Sequence, residues 1–259
     1  MTDDSVATFD AAWNRFTGWM AAHVPIDLAA LRPAATAEEI TDLETRLGFP
    51  LHPHLKALLG RHDGVIPHPE PQHHYAGAFL PLSHRLLGTE AIATAQEHLA
   101  NGLGEAVAVL SCGDDLYDHA HQWVPFARPN DGGTAFIDHR PGPTYGHVYE
   151  MGLGSGATEA TGWAVDLAGL FDALATSLES DTPFVGWWPE PLELRSGHTC
   201  LGWDHSARPV GSGWPAPRTP VPAVRPARHE NRKLGRLLGT LKPDGRRSPG
   251  EGPQGPVRQ

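Results

Sequence analysis

The sequence predicts an α+β domain in which N-terminal helices pack against a mostly antiparallel sheet, followed by a disordered basic tail. Three observations predict this architecture. Apolar residues recur at helical spacing in the first 60 residues, short β-branched and aromatic runs fill the middle of the chain, and the composition changes beyond Pro209. A run of helices followed by a run of strands, rather than strict alternation, is typical of the α+β class.

The first helix is predicted from about Ser5 to His23, and it ends before Pro25. Its inward residues recur at intervals of three or four, which places them on one face. They are Phe9, Trp13, Phe16 and Met20.

A helical hairpin follows. Thr36 and Glu39 form a capping box, in which the hydroxyl accepts an amide hydrogen bond and the carboxylate reaches back. Gly48 ends this helix, because a residue without Cβ enters the left-handed conformation at little cost. The buried faces of the two helices are formed by leucine and isoleucine residues: Ile40, Leu43 and Leu47 in the first, and Leu51, Leu55, Leu58 and Leu59 in the second.

The rest of the domain is predicted from changes in the spacing of apolar residues along the chain. Residues 65–75 are rich in proline and histidine and are expected to form a loop. Thr89 caps a helix that ends at Asn101-Gly102, and a later helix from about Val165 to Leu178 covers one face of the sheet. The expected strands are Phe79–Leu82 at an edge, Ala106–Leu110, Gln122–Val124, Thr134–Ile137 and His147–Glu150, with a closing hairpin of Leu192–Leu194 and Cys200–Trp203.

Charge divides the chain at the same place as composition. Residues 1–208 carry 27 acidic and 10 basic side chains, a net charge of −17, whereas residues 209–259 carry 3 acidic and 10 basic ones, a net charge of +7; together they give the −10 of the whole chain. Ten prolines and eight glycines in the last 51 residues predict a tail that cannot bury enough apolar surface to fold. The acidic domain is expected to repel nucleic acid and to attract basic partners.

The ordered set of motifs resembles the SUKH superfamily. The residues that carry the resemblance run from the helical hairpin into the sheet: Pro33, Thr36, Glu38-Glu39-Ile40, Leu43-Glu44, Leu47-Gly48, Pro50-Leu51-His52-Pro53, Leu58-Leu59, His62-Asp63-Gly64, Phe79–Leu82, Trp123–Ala127, Asp131-Gly132-Gly133, Phe136–Asp138 and Pro141 to Val148. This superfamily groups fungal cell-wall-synthesis regulators with many bacterial immunity proteins. The resemblance covers about residues 9 to 205, and it does not include the basic tail or the histidine-rich loop.

Sixteen histidines raise the question of a metal site. Zinc needs three or four converging ligands, and no spacing here matches H-E-x-x-H or a Cys/His knuckle. The loop histidines are therefore interpreted as side chains on a wet surface, while the other candidates His52 and His54 lie at a helix start. No metal or other cofactor is expected, although a metal-dependent hydrolase using the loop histidines remains an alternative.

Motifs for catalysis or nucleotide binding are equally weak. Gly152, Gly154 and Gly156 lack the acidic residue that a dinucleotide-binding βαβ unit requires. Ser111 and Cys112 lie in neither a nucleophile elbow nor a cysteine-protease context. No catalytic residue is predicted, and the chain is expected not to be an enzyme.

A partner-binding surface is the remaining interpretation. Opposite charge accelerates encounter, while aromatic anchors set the residence time. The alternative for the acidic residues is a solvated face that maintains solubility, and for the tryptophans it is core packing. The candidate residues are Asp114, Asp115, Asp118, Asp138, Trp187 and Trp188.

The resemblance implies a non-enzymatic protein-binding domain that neutralises a cognate bacterial toxin by occlusion, or alternatively a regulatory scaffold related to the cell-wall regulators. A basic toxin is the expected partner. A further hypothesis is intramolecular: the +7 tail folds back on the −17 domain and masks the partner surface. Two cysteines, an acidic N-terminus and the lack of any run of ~18 apolar residues predict a cytoplasmic protein outside the membrane.

Overall fold

The computed structural model describes residues 2–66, 75–110, 117–129, 132–152, 160–206 and 214, with backbone alone for 2–3, 102–110, 117 and 118. All of these residues fall within one compact unit, Met1–Thr219. Most of the predicted histidine-rich loop and, apart from Trp214, the predicted tail at 209–259 lie outside the described residues. The disorder of the tail therefore stays a prediction.

The described part of the chain contains six α-helices and seven strands. Strands β1 to β5 form an antiparallel sheet in sequence order, and β6 pairs with β7 in a separate antiparallel hairpin. This arrangement confirms the predicted α+β class. The elements are α1 Thr2–His23, α2 Pro25–Ala29, α3 Ala37–Leu47, α4 Pro53–Leu59, β1 Arg85–Leu86, α5 Thr89–Leu110, β2 Trp123–Arg128, β3 Thr134–Asp138, β4 Val148–Met151, β5 Thr161–Ala164, α6 Leu167–Ser180, β6 Trp188–Glu193 and β7 Thr199–Asp204.

The core lies where α1 crosses α6. Phe171 of α6 is fully buried, and its ring packs edge-on against Trp13 with centroids 4.7 Å apart and against Phe9 at 6.1 Å. The predicted stripe of α1 is confirmed, since all four of its residues are at most 2% exposed. Burial of large aromatic side chains is the main stabilising contribution of this helix pair.

The predicted capping box at the start of α3 is confirmed. Thr36 Oγ1 accepts the amide of Glu39 at 3.1 Å, and the Glu39 carboxylate accepts the amide of Thr36 at 2.7 Å. Gly48 follows the helix with φ = 81°, the left-handed conformation that its place in the sequence predicts. Local sequence therefore sets both ends of α3.

The motif His62-Asp63-Gly64 joins the helical hairpin to α5. Asp63 Oδ1 accepts a hydrogen bond from the amide of Thr89 at 2.7 Å. A side chain 26 positions earlier in the sequence therefore pairs with the first backbone amide of α5. Gly64 has φ = 76°, and a Cβ built on it would lie 2.4 Å from the backbone nitrogen of Gly88. Only glycine allows the two backbones to approach this closely.

Two predicted strands are wrong. Residues 79–82 do not form an edge strand, because Pro81 starts a 3-10 turn in which Leu82 has φ = 59°, and the edge strand begins later, at Arg85. The strand predicted at Ala106–Leu110 is the last part of α5, which continues past Asn101-Gly102. A run of five apolar residues such as Ala106–Leu110 is compatible with either a strand or a helix, and its alanines favour the helix.

The closing elements agree better with expectation. The helix predicted from Val165 is α6, whose N-cap Asp166 accepts the amide of Gly169 at 2.7 Å. The predicted closing hairpin is β6 and β7. Strand β5 is an element that sequence reasoning missed, since it has only four residues and a single buried aromatic, Trp163.

Candidate partner-binding surface

The acidic loop predicted to bind a partner lies largely beyond the described chain. Asp114 and Asp115 are outside the described residues, and for Asp118 the structure describes the backbone alone, in a 3-10 segment at Tyr117–Gln122. Their predicted role in binding a cationic partner stays a prediction.

Asp138 lies at the end of β3, and the structure places it in the interior. Its side chain is 0% exposed. Arg140 binds both carboxylate oxygens, with Nε 3.1 Å from Oδ1 and Nη2 2.7 Å from Oδ2, and donates its own amide to Oδ1 at 2.9 Å. Because its own neighbour satisfies the carboxylate, Asp138 contributes no open acidic surface in this conformation.

Trp187 and Trp188 are both half-buried. The Trp187 ring packs on the main core and lies edge-on to His205, with centroids 5.1 Å apart. Trp188 opens β6 opposite Asp204. Trp187 thus combines a packing role with some exposed area, and the role of both tryptophans as anchors stays a prediction.

A cluster of buried histidines links α4 to the sheet, and sequence reasoning missed it. His52, His54 and His139, called here the histidine cluster, are 8%, 2% and 5% exposed. The ring centroids of His52 and His54 are 4.8 Å apart, and those of His52 and His139 are 6.5 Å apart. His52 and His54 lie at the predicted helix start, and they are buried because α4 turns its first residues towards the loop after β3.

Hydrogen bonds assign roles to both ring nitrogens of His139 and to Nδ1 of His52. His139 Nε2 accepts the amide of His52 at 2.9 Å, so its Nδ1 carries the proton and donates to the carbonyl of Ile137 at 3.0 Å. His52 Nδ1 accepts the amide of His54 at 3.3 Å and thereby caps α4. Both acceptors satisfy backbone amides at the start of α4, which are otherwise unpaired in a helix.

Burial keeps these two rings neutral. Desolvation is the main cause that lowers the pKa of His139 to about 4, and the pKa of His52 also falls to about 4, first through desolvation and then through the neighbouring His54 and His139. A histidine nitrogen can accept a hydrogen bond only while the ring is neutral. Hydrogen bonding and electrostatics therefore agree at neutral pH.

His54 lies between a serine and an aspartate, the residue types of a hydrolytic triad. Its Nε2 is 2.6 Å from Ser5 Oγ on α1, but its Nδ1 is 3.8 Å from Asp166 Oδ2, beyond hydrogen-bonding distance. Asp166 already uses Oδ1 to cap α6. With His54 2% exposed, this group joins α1, α4 and α6 rather than presenting a nucleophile to an open cleft.

The surface above the cluster is aromatic and aliphatic. Tyr145, in the loop between β3 and β4, is 41% exposed, and its ring centroid is 5.0 Å from that of His52. Phe49 is half-buried with its ring 5.5 Å from His139, and Val165, next to the Asp166 cap, is 66% exposed. We name Phe49, Pro50, Tyr145, Val165 and Asp166 the Tyr145 surface.

Side chains suited to holding a metal ion do not converge among the described residues. They include no group of three or more His, Cys, Asp or Glu residues able to hold a metal ion. A shallow depression of about 420 Å³ adjoins the Tyr145 surface; it is lined by Thr41, Glu44, Thr45, Gly48, Phe49 and Pro50. Contact with a macromolecule suits this open, mixed surface better than enclosure of a small ligand.

Comparison with known proteins identifies the family. The model of the SMI1/KNR4 family (SUKH-1) matches residues 34–172, which run from α3 into α6 and include His52, His139 and Tyr145. A search of curated proteins found no match. In the described part of the chain, no helix combines the length and the apolar character needed to cross a membrane. The match covers more than half of the chain, and the chain belongs to the SMI1/KNR4 (SUKH-1) family.

Proposed function

We propose that this chain is a non-enzymatic protein-binding domain that neutralises a cognate bacterial toxin by covering its functional site. The family membership supports a protein of this class, because the resemblance described above groups immunity proteins with regulatory ones. In this mechanism no covalent bond is made or broken, and the toxin is inhibited for as long as the complex lasts.

The observation that carries the proposal is the exposure of Tyr145 next to the ring of His52. The neighbouring histidines satisfy backbone amides, whereas Tyr145 and Val165 leave apolar area in contact with water. Tyrosine is enriched at binding hot spots because it offers a large, rigid contact area together with a polar tip. The Tyr145 surface is therefore the preferred contact region.

Charge supports a basic partner. The domain carries −17 over residues 1–208, and Asp166 lies within the Tyr145 surface with about a third of its side chain exposed. Complementary charge raises the association rate and lowers affinity for acidic competitors. Binding is accordingly expected to weaken as ionic strength rises.

Co-expression with a candidate effector, taken from a reading frame adjacent to this one, tests the proposal. The wild-type chain should restore growth, and Tyr145→Ala should lose at least tenfold in protection, as for removal of a hot-spot side chain of about 1.4 kcal/mol or more. Tyr75→Ala is the matched control, since Tyr75 is exposed to a similar extent, 45% against 41%, in another part of the surface.

The outcomes separate toxin neutralisation from other functions. Absence of both growth rescue and effector capture by the wild-type chain would contradict neutralisation. Tyr145-dependent capture of an endogenous protein without protection would instead indicate the regulatory-scaffold function.

A further inference from the structure

We propose that the histidine cluster is an acid-sensitive latch that holds residues 139–147, and with them Tyr145, against the start of α4. Its consequence for a partner rests on the proposed function of the Tyr145 surface, because a released loop would no longer present that surface. The latch itself is a property of the isolated chain. Its test therefore uses the chain alone, so that failure of the latch and failure of the proposed function are distinguishable.

The latch depends on acceptor nitrogens that acid converts into donors. His139 Nε2 accepts the amide of His52, and protonation of this nitrogen would place an N–H opposite an N–H. His52 Nδ1 accepts the amide of His54, and protonation there removes the cap of α4 in the same way. Protonation of His139 thus replaces an attraction between the loop and the start of α4 by a repulsion, and protonation of His52 does the same within the start of α4.

The fit of the loop on α4 leaves little room for partial release. Gly146 has φ = 91°, and a Cβ built on it would lie 2.5 Å from His52 Nε2, so the loop backbone lies directly against the ring. The Gly146 amide donates to the carbonyl of Asp138 at 2.7 Å, which closes the loop on itself. The segment is expected to move as a unit when its bond to α4 is lost.

The charged groups around the cluster compensate two new positive charges only in part. Asp166 is 3.8 Å from His54 Nδ1, and its other oxygen caps α6. Asp138 precedes His139 but is paired with Arg140, which itself adds positive charge. From α1 the cluster meets the hydroxyl and carbonyl of Ser5, and from the loop it meets the neutral ring of Tyr145. The positive end of the α4 backbone adds to the repulsion.

Hydrogen–deuterium exchange measured by mass spectrometry tests the latch. The comparison is between wild type and His52→Asn/His139→Gln, because Asn and Gln side-chain oxygens remain acceptors at every pH. At pH 4.5 the peptide covering residues 138–149 should exchange about tenfold faster in wild type than in the double variant, while at pH 7.5 the two should agree. Peptides from β2 should not differ at either pH. Equal exchange at pH 4.5 would overturn the proposal.

A measurement on the unmodified chain covers the case in which the double variant does not fold. Nitrogen NMR of the histidine rings at pH 7.5 reports which nitrogen carries the proton. The latch requires the Nδ1–H form for His139 and the Nε2–H form for His52. Finding the opposite form for His139 would mean that Nε2 is no acceptor, and would overturn the proposal without any variant.

Discussion

Acidification should destabilise the folded chain through two members of the histidine cluster, His52 and His139. His52 and His139 have pKa values near 6.5 in the unfolded chain and about 4 when folded. Between these values the unfolded chain binds protons that the folded chain does not. The stability that the neutral rings provide is therefore fully present above pH 6.5 and is lost progressively as the pH falls towards 4.

Asp27 acts in the opposite direction. Burial among α2 and β7 raises its pKa from 3.8 to about 6, against the opposing effect of amide bonds from Leu201 and Gly77. Between pH 6 and pH 3.8 the folded chain binds a proton at Asp27 that the unfolded chain does not. This carboxyl group consequently adds stability as the pH falls through that range.

The magnitudes follow from about 1.4 kcal/mol per pKa unit. From pH 7 to pH 4.5, neutral His139 loses about 2–3 kcal/mol of stabilisation, neutral His52 loses at most the same, and Asp27 adds about 2 kcal/mol. With the His52 contribution halved for its partial contact with solvent, the net loss in the free energy of unfolding is about 2 kcal/mol; without that discount it is about 3 kcal/mol.

Urea denaturation followed by tryptophan fluorescence at pH 7 and pH 4.5 measures this difference. The variant His139→Gln should reduce the loss by about 2–3 kcal/mol, whereas His147→Asn, outside the cluster, should leave it unchanged. An unfolding free energy that is equal at the two pH values in wild type, or a full loss retained in His139→Gln, would refute the reasoning.

Three further substitutions test the packing, each by urea denaturation at pH 7. Asp63→Ala should lower the free energy of unfolding by about 2–4 kcal/mol, because the buried amide of Thr89 loses its acceptor. Asp63→Asn keeps an acceptor oxygen and should retain most of that stability. Equal losses for the two variants would contradict the role of this hydrogen bond. Gly48→Ala should lower the free energy of unfolding by about 1–2 kcal/mol, because its φ is positive. Gly64→Ala should lower it by more, because a Cβ at this position of positive φ would also meet backbone atoms. Similar losses for the two variants would disprove the close approach. Phe171→Ala should cost about 3–5 kcal/mol, and under 1 kcal/mol would contradict its central place in the core.

Features encoded by neighbouring residues were predictable from the sequence. The capping box at Thr36 and the C-terminal Gly48 act within one helix, and the stripe from Phe9 to Met20 needs only helical spacing. The order of motifs along the chain was sufficient to indicate the family, which the match to residues 34–172 supports.

Features that depend on distant residues were not predictable. The amide of His52 meets a ring nitrogen 87 positions later, so nothing local separates a buried histidine from a solvated one. Asp138 had the pattern of a surface carboxylate, but the arginine two residues later folds back on it. Likewise α5 extends through Ala106–Leu110, an apolar stretch whose sequence fits either a strand or a helix.

The most direct test of action by contact is the affinity and reversibility of the complex with the purified effector. Titration calorimetry should give one binding event with a Kd that rises at least tenfold for Tyr145→Ala and stays unchanged for Tyr75→Ala. On dissociation the effector should regain full activity with an unchanged mass. A Kd indifferent to Tyr145, or an effector that emerges covalently altered, would contradict neutralisation by contact through the Tyr145 surface.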